Sequence, residues 1–118
     1  MPWPPVTHQD VVDRVELTVQ STKTAAYTVV LADGGTLIEM NTAAAVALTI
    51  PTEASVAFPI GTTIGVRQYG AGVLTLTPAS GVTLRSRDSA LRTGGLYAEA
   101  ALTKRAANEW VAAGDLVV

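Results

Sequence analysis

Short runs of alternating apolar and polar residues, separated by turn-forming residues, restrict the fold of this chain more than any other feature of its sequence. The alternation is clearest at Val46, Leu48 and Ile50, and it recurs at Leu74 and Leu76. A period of two residues belongs to a β-strand with one buried face, whereas an amphipathic helix needs a period near 3.6. The pattern therefore predicts strands.

Candidate strands follow one another along the chain at intervals of about ten residues, with turn signals between them. Hairpins are predicted at 33–35, 70–72 and 107–108, because Gly and Asn supply the positive φ of tight turns. Many short strands at such spacing are typical of sandwiches and barrels. The sequence predicts an all-β fold, an antiparallel β-sandwich or barrel-like domain of short strands with a short N-terminal arm. The candidate strands are residues 27–31, 36–40, 45–50, 63–69, 73–77, 82–84, 96–105 and 109–113.

The N-terminus has a different composition from the rest of the chain. Pro2, Pro4 and Pro5 fix φ and lack an amide donor, so this segment favours an extended arm that cannot join a sheet centrally. Trp3 lies within the arm, and it either packs against its own domain or anchors in a pocket of a partner. The segment lacks the basic and long apolar stretches of a secretory signal, which indicates assembly in the cytosol.

Two elements are predicted between the arm and the main domain. Thr7 and Asp10 resemble the start of a short helix. From Val15 onward, Val15, Leu17 and Val19 alternate with polar residues, which predicts a first strand that ends before the polar stretch 21–24. We therefore divide the chain into residues 1–25, the arm with a short helix and a first strand, and a β-domain over residues 26–118.

Residue types that carry most catalytic and metal chemistry are scarce. The chain has no cysteine and one histidine, His8, beside the proline-rich arm, where a zinc site would need Asp10 and Asp13 to converge on it. The sequence contains no nucleophile-elbow, Walker or zinc-protease motif. Two of the ten acidic residues could meet across strands as in glycosidases, but nothing in the sequence marks a pair. We expect a protein that is not an enzyme and that binds no metal or cofactor.

The low charge content suggests that copies of the chain associate. Charged residues make up 15% of the chain, against about 25% in an average soluble domain. Residues 1–60 carry a net charge of −4 and residues 61–118 a net charge of +2, so the halves either attract across a subunit interface or carry solvated charges. Neither half is basic enough to indicate nucleic-acid binding, and no apolar run is long enough to indicate a membrane span.

Arginines are concentrated in the segment 85–92. Because guanidinium groups bind carboxylates through two parallel hydrogen bonds, this segment is a candidate site for a carboxylate-rich partner. The alternative is a solvated loop. In a trimer, three such loops at the axis could also hold an anion. Together with the arm, the candidate partner-binding residues are Pro2, Trp3, Pro4, Pro5, Arg85, Arg87 and Arg92.

An ordered set of motifs resembles a module of tailed-bacteriophage virion proteins found in tail fibres, head fibres and capsid decoration proteins. The resemblance spans residues 26–116. Its most specific part begins with Phe-Pro-x-Gly-Thr at 58–62 and Gly-Ala-Gly at 70–72, each followed by a strand. It continues with Gly-Val-Thr at 81–83 and ends with Trp-Val at 110–111 and Gly-Asp-Leu at 114–116. On the last strand, Trp110 is placed to close the core.

The resemblance implies a structural role in a virion. Such modules form trimers of antiparallel β-structure, and a module with only a short arm is similar to a capsid decoration protein. The expected function is a homotrimer on the capsid surface that binds the major capsid protein and stabilises the shell, assembled in the host cytoplasm. The alternative is a head- or tail-fibre attachment module for a carbohydrate or receptor, which a sugar bound beside Tyr69 or Tyr97 would favour. A depolymerase would need a carboxylate pair in a groove.

Overall fold

The all-β prediction is confirmed. A computed structural model describes residues 19–118, which form eleven strands in two sheets, with single-turn 3-10 helices at Leu31–Asp33 and Arg87–Ser89. The predicted short helix and residues Pro2, Trp3, Pro4 and Pro5 lie outside the described residues. The strands are β1 (Val19–Lys23), β2 (Tyr27–Thr28), β3 (Thr36–Met40), β4 (Val46–Ile50), β5 (Thr63–Gln68), β6 (Leu74–Pro78), β7 (Thr83–Ser86), β8 (Arg92–Thr93), β9 (Glu99–Ala106), β10 (Glu109–Gly114) and β11 (Leu116–Val117).

The chain coils between the two sheets as it proceeds. Sheet A has the order β1-β3-β5-β9-β10-β7, and sheet B has the order β11-β8-β6-β4-β2. The first six strands alternate between the sheets, so each turn of the coil adds one strand to sheet A and one to sheet B. Neighbours within this coil are parallel, as in β3 with β5 and β4 with β6. The hairpin of β9 and β10 then fills the space between β5 and β7 in sheet A.

Strand direction differs from the antiparallel prediction. Among residues 19–118, five strand pairs are parallel and four are antiparallel. The predicted hairpins at 33–35 and 70–72 are wrong because each turn carries the chain from one sheet to the other. The hairpin at 107–108 is confirmed: it joins β9 to β10, and Asn108 has φ 55°. Periodicity specifies which face of a strand is buried, not the direction of its neighbour.

The predicted strand boundaries hold for the longer strands and fail for the shorter ones. The segment 36–40 is predicted as observed, and the candidates from 45–50 to 109–113 overlap β4, β5, β6, β7, β9 and β10. The predicted start of the first strand, at Val15, lies outside the described residues, and its predicted end before residue 21 is wrong because β1 continues to Lys23. The two-residue strands β8 and β11 were not predicted, since two residues are too few to show a period.

The hydrophobic core lies between the two sheets. Trp110 on β10 is 2% exposed, and its ring meets that of Phe58 edge to face with the centroids 5.3 Å apart. This contact fastens the long connection between β4 and β5 onto the core, as expected for an aromatic ring on the last long strand. The buried apolar residues of the core are Val29, Ile38, Met40, Leu48, Ile50, Phe58, Ile64, Val66, Leu74, Leu76, Val82, Ala100, Leu102, Trp110 and Ala112.

A charged side chain is buried at the same end of the core. Lys104 on β9 is 2% exposed, and its ammonium group donates to the carboxylate of Glu53 and to the backbone carbonyl of Phe58. The amide of Glu53 in turn donates to Oδ1 of Asn108 over 2.8 Å. Because a buried ammonium group needs charge and hydrogen-bond compensation, these contacts tie the β4–β5 connection to the β9–β10 hairpin.

The turn before β3 is held by a buried carboxylate. Asp33 is 6% exposed and accepts hydrogen bonds from the hydroxyl of Tyr27 over 2.7 Å and from the amide of Val30 over 2.8 Å. Burial, followed by this hydrogen bond to Asp33, raises the pKa of Tyr27 from 10.0 to about 12. The ammonium group of Lys23 lies 4.4 Å from the centre of the Tyr27 ring.

This shift predicts a loss of stability at high pH. Between pH 10 and about 12 the unfolded chain gives up the Tyr27 proton while the folded chain retains it, so the free energy of unfolding falls as the pH rises. Tyr27→Phe keeps the aromatic ring near Lys23 and removes only the titrating hydroxyl. In urea unfolding measured across this window, the variant is expected to lose less stability than the parent. Equal slopes would contradict the assignment.

Candidate interaction surface

One end of the fold collects most of the exposed aromatic and cationic loop residues. In sheet A, β5, β7 and β10 run parallel and β9 runs opposite to them, so the first three end where β9 begins. We call this the upper end; it comprises the loops 69–73, 87–91 and 94–98. The loops 51–62 and 107–108 lie at the opposite, lower end.

Two tyrosines form an exposed pair at the upper end. Tyr69 follows β5, Tyr97 precedes β9, and they are 47% and 62% exposed. Their ring centroids are 5.6 Å apart with 61° between the ring planes. Leu96 beside them is 52% exposed. The pairing of β5 with β9 brings together residues far apart in sequence, and the result is an aromatic corner open to solvent.

The backbone beneath this pair is firmly held. The amide of Tyr97 donates to the carbonyl of Gln68 over 2.7 Å, and the amide of Tyr69 donates to the carbonyl of Met40 over 2.9 Å. Gln68 is 2% exposed and accepts a hydrogen bond from the hydroxyl of Thr93 on sheet B. Tyr97 has φ 68°, a left-handed conformation that costs a non-glycine residue about 1 kcal/mol. These hydrogen bonds therefore hold the backbone of Tyr97 in a left-handed conformation.

The three candidate arginines do not form one site. Arg85 points from the outer face of sheet A and bonds Glu109 over 2.9 Å, and the Arg85 guanidinium lowers the pKa of that carboxyl. Arg92 pairs with Thr75 on sheet B, and its guanidinium donates to the carbonyl of Val118. Arg87 lies on the upper loop with its side chain 97% exposed. The three side chains thus lie on different parts of the fold, because β7 ends at Ser86, between Arg85 and Arg87, and the step to sheet B separates Arg92 from both. Their binding of a partner stays a prediction.

A groove of about 800 Å³ adjoins the Arg87 loop. Its walls are the segment from Ser86 to Ala90 and the ends of β10 and β11. The hydroxyl of Ser86 is buried without a hydrogen-bond partner. Asp88 and Ser89, both at φ 57°, adopt left-handed conformations beside it. The upper end therefore offers a concave surface as well as the aromatic corner.

Acidic residues on the outer face of sheet A are bridged by an arginine. Arg67 donates to Glu39 over 2.7 Å and to Glu99 over 2.6 Å, and Gln20 donates to Glu39 over 2.7 Å. The hydrogen bond to Glu39, followed by that to Glu99, raises the pKa of Arg67 above its ordinary value. Sequence reasoning missed this ladder. The signal that could have found it is the outward position of Glu39, Arg67 and Glu99, which lie side by side on the adjacent strands β3, β5 and β9.

Within residues 19–118, no group of three or more His, Asp or Glu side chains is placed to hold a metal ion. No helix among those residues is long and apolar enough to cross a membrane. Comparison of the chain with protein-family models, with curated proteins and with solved structures found no match.

Proposed function

We propose that the protein is a non-enzymatic structural protein of a tailed-phage virion, a decoration protein that binds and stabilises the outside of the capsid shell. The proposal takes the partner to be the major capsid protein and the assembly to be a homotrimer, as the resemblance implies. The sequence motifs behind the resemblance have coherent roles in the fold. Phe58 and Trp110 pack on each other, and Gly72 approaches the backbone of Ala44 too closely for a side chain.

The exposed, strained upper end is the observation on which this proposal rests. Four non-glycine residues among 19–118 have positive φ, and three of them, Asp88, Ser89 and Tyr97, lie at this end. Strained backbone tends to persist at sites that bind or switch. Tyr and Arg are also the residue types that contribute most to protein interfaces. We therefore propose that Tyr69, Tyr97 and Arg87 contact the shell, together with the N-terminal arm.

Imaging of virions by electron microscopy tests this function. The expected result is a knob of density at local three-fold positions of the shell, because a protein that binds only the assembled shell stabilises that state by mass action. Bare three-fold positions, with the protein found in the tail, would contradict the proposal.

Deletion of residues 1–7 is expected to weaken attachment to shells that lack the protein while leaving the β-domain folded. The sequence predicts a proline-rich arm that cannot join a sheet centrally, so its loss is expected to remove contacts to the shell without disturbing the core. Co-sedimentation with shells measures attachment, and circular dichroism of the free variant confirms the fold. Unchanged attachment would show that the arm is not part of the contact.

The aromatic corner also favours a second function, a fibre-type adhesion module that binds a carbohydrate. Exposed tyrosine rings present apolar faces on which sugar rings stack, and the rings of Tyr69 and Tyr97 contact each other on backbone that hydrogen bonds hold in place. A glycan array probed with the parent and with Tyr69→Ala distinguishes the two functions. Sugar binding that is lost in the variant, with shell binding retained by both, would favour adhesion over shell attachment by this corner.

A further inference from the structure

The outer face of sheet A is broad and carries few charges at its centre. Outward-pointing residues of neighbouring strands lie in register there, and Leu37, Gly65, Ala101 and Ala113 form one row across β3, β5, β9 and β10. A shallow depression of about 410 Å³ lies over this row. The next row contains Thr103 and Val111. The centre of the face is therefore made of small or uncharged side chains.

The upper and lower ends of this face carry opposite charge. At the upper end, Glu39, Arg67 and Glu99 have a net charge of −1, and Glu99 is the most exposed of them at 53%. At the lower end, Arg85, Glu109 and Arg105 have a net charge of +1. There Arg85 and Arg105 are 63% and 65% exposed, and Glu109 is 17% exposed. The accessible charge is thus a carboxylate at the upper end of the face and two guanidinium groups at its lower end.

The face is large enough for a specific contact. Six strands about 4.8 Å apart, and six residues of about 3.3 Å each along β9, give dimensions of about 29 by 20 Å. Two such faces in contact would bury about 1,200 Å² in total, at the lower limit of specific protein interfaces. An uncharged centre with a charged rim is also the usual composition of such interfaces.

We propose that this face binds the same face of a second copy of the chain. When the same face of two identical copies forms one contact, the copies are related by a rotation of 180°, so the contact has two-fold symmetry. With the axis crossing β9 near Ala101 and Thr103, Glu99 of one copy lies against Arg85 and Arg105 of the other, and the reciprocal contact forms at the same time. This inference goes beyond the proposed function, whose trimer needs a three-fold contact through other surfaces.

Charge reversal with mixing tests the contact. Gel filtration with light scattering at low salt is expected to show an assembly whose copy number is divisible by two. Glu99→Arg alone, and the double variant Arg85→Glu with Arg105→Glu, should each raise the dissociation constant at least about tenfold, because both reciprocal contacts become repulsive. Mixing the two variants should restore association, since every contact in the mixed pair is again between opposite charges.

Arg87→Glu is the control variant for the charge reversals. Arg87→Glu reverses a charge that lies off this face and should leave association unchanged, and all variants should keep a cooperative thermal transition because the altered side chains are largely exposed. A monomer, an odd copy number, or a mixture that stays dissociated would overturn the inference. A dimer would uphold it and refute the trimer, a trimer would do the reverse, and a hexamer that the reversals reduce to trimers would support both.

Discussion

Replacing Glu53 by alanine is expected to lower the free energy of unfolding by about 2 to 4 kcal/mol. The substitution leaves the ammonium group of Lys104 buried with only the carbonyl of Phe58 as a partner. Removing one member of a fully buried ion pair costs about 3 to 5 kcal/mol. The expected loss here is smaller because the Glu53 side chain is 36% exposed and water reaches the site.

Lys104→Met is the matched control for this prediction. It removes the buried charge while keeping an unbranched side chain of similar length, and it frees the Glu53 carboxylate to turn into water. The loss should be less than half of that for Glu53→Ala, because replacing a buried charge by an apolar group is often nearly neutral. Urea unfolding measures both. A larger loss for Lys104→Met would mean that Lys104 acts as a structural clamp whose bonds outweigh its burial cost.

Gly72→Ala is expected to cost about 3 kcal/mol or more, or to prevent folding. A Cβ atom at this position would lie 1.9 Å from the carbonyl oxygen of Ala44 and 2.8 Å from the hydroxyl of Thr42. The amide of Gly72 also bonds the carbonyl of Thr42 over 2.9 Å, so the two loops cannot separate without losing that bond. Backbone cannot yield as a side chain can, and overpacking of this kind costs more than the usual range of about 1 to 3 kcal/mol.

Gly81→Ala provides the comparison, since it tests conformation without crowding. Gly81 has φ 93°, but a Cβ atom there would meet nothing within 4 Å. The expected loss is about 1 kcal/mol, from the left-handed backbone alone. Thermal unfolding of the two variants should therefore differ clearly. A loss for Gly81→Ala equal to that for Gly72→Ala would show that the close approach of the 69–73 loop to Thr42 and Ala44 is not what requires glycine at 72.

These two glycines show where sequence reasoning about the fold stops. Alternation at Val46, Leu48 and Ile50 was enough to predict a strand and its buried face, because that pattern is a property of the segment itself. No pattern in the sequence around Gly72 indicates why glycine is needed there. A glycine needed for a turn and a glycine needed for close approach look the same in a sequence, and only the neighbouring loop distinguishes them.

For the candidate surface, the sequence likewise indicated residue types but not where the fold places them. Arg85 and Arg87 are two residues apart, but β7 ends between them. Arg85 therefore lies on the outer face of sheet A, whereas Arg87 lies on an exposed loop. Tyr69 and Tyr97 are distant in sequence, and their contact depends on β9 pairing with β5 instead of with β8, which precedes it. The positions of these side chains depend on which strands pair in the sheets, and the pattern of residues within one segment does not specify that pairing.

The insertion of β9 and β10 between β5 and β7 also sets the order in which the protein can form during its synthesis. β7 has one neighbour in sheet A, and that neighbour is β10, which leaves the ribosome later. The coil of β1 to β6 can close while the chain is still being made, since β3, β4, β5 and β6 each pair with a strand that precedes them. β7 stays unpaired until the β9–β10 hairpin has been synthesised. Until then the nascent chain exposes a strand edge that is prone to aggregation.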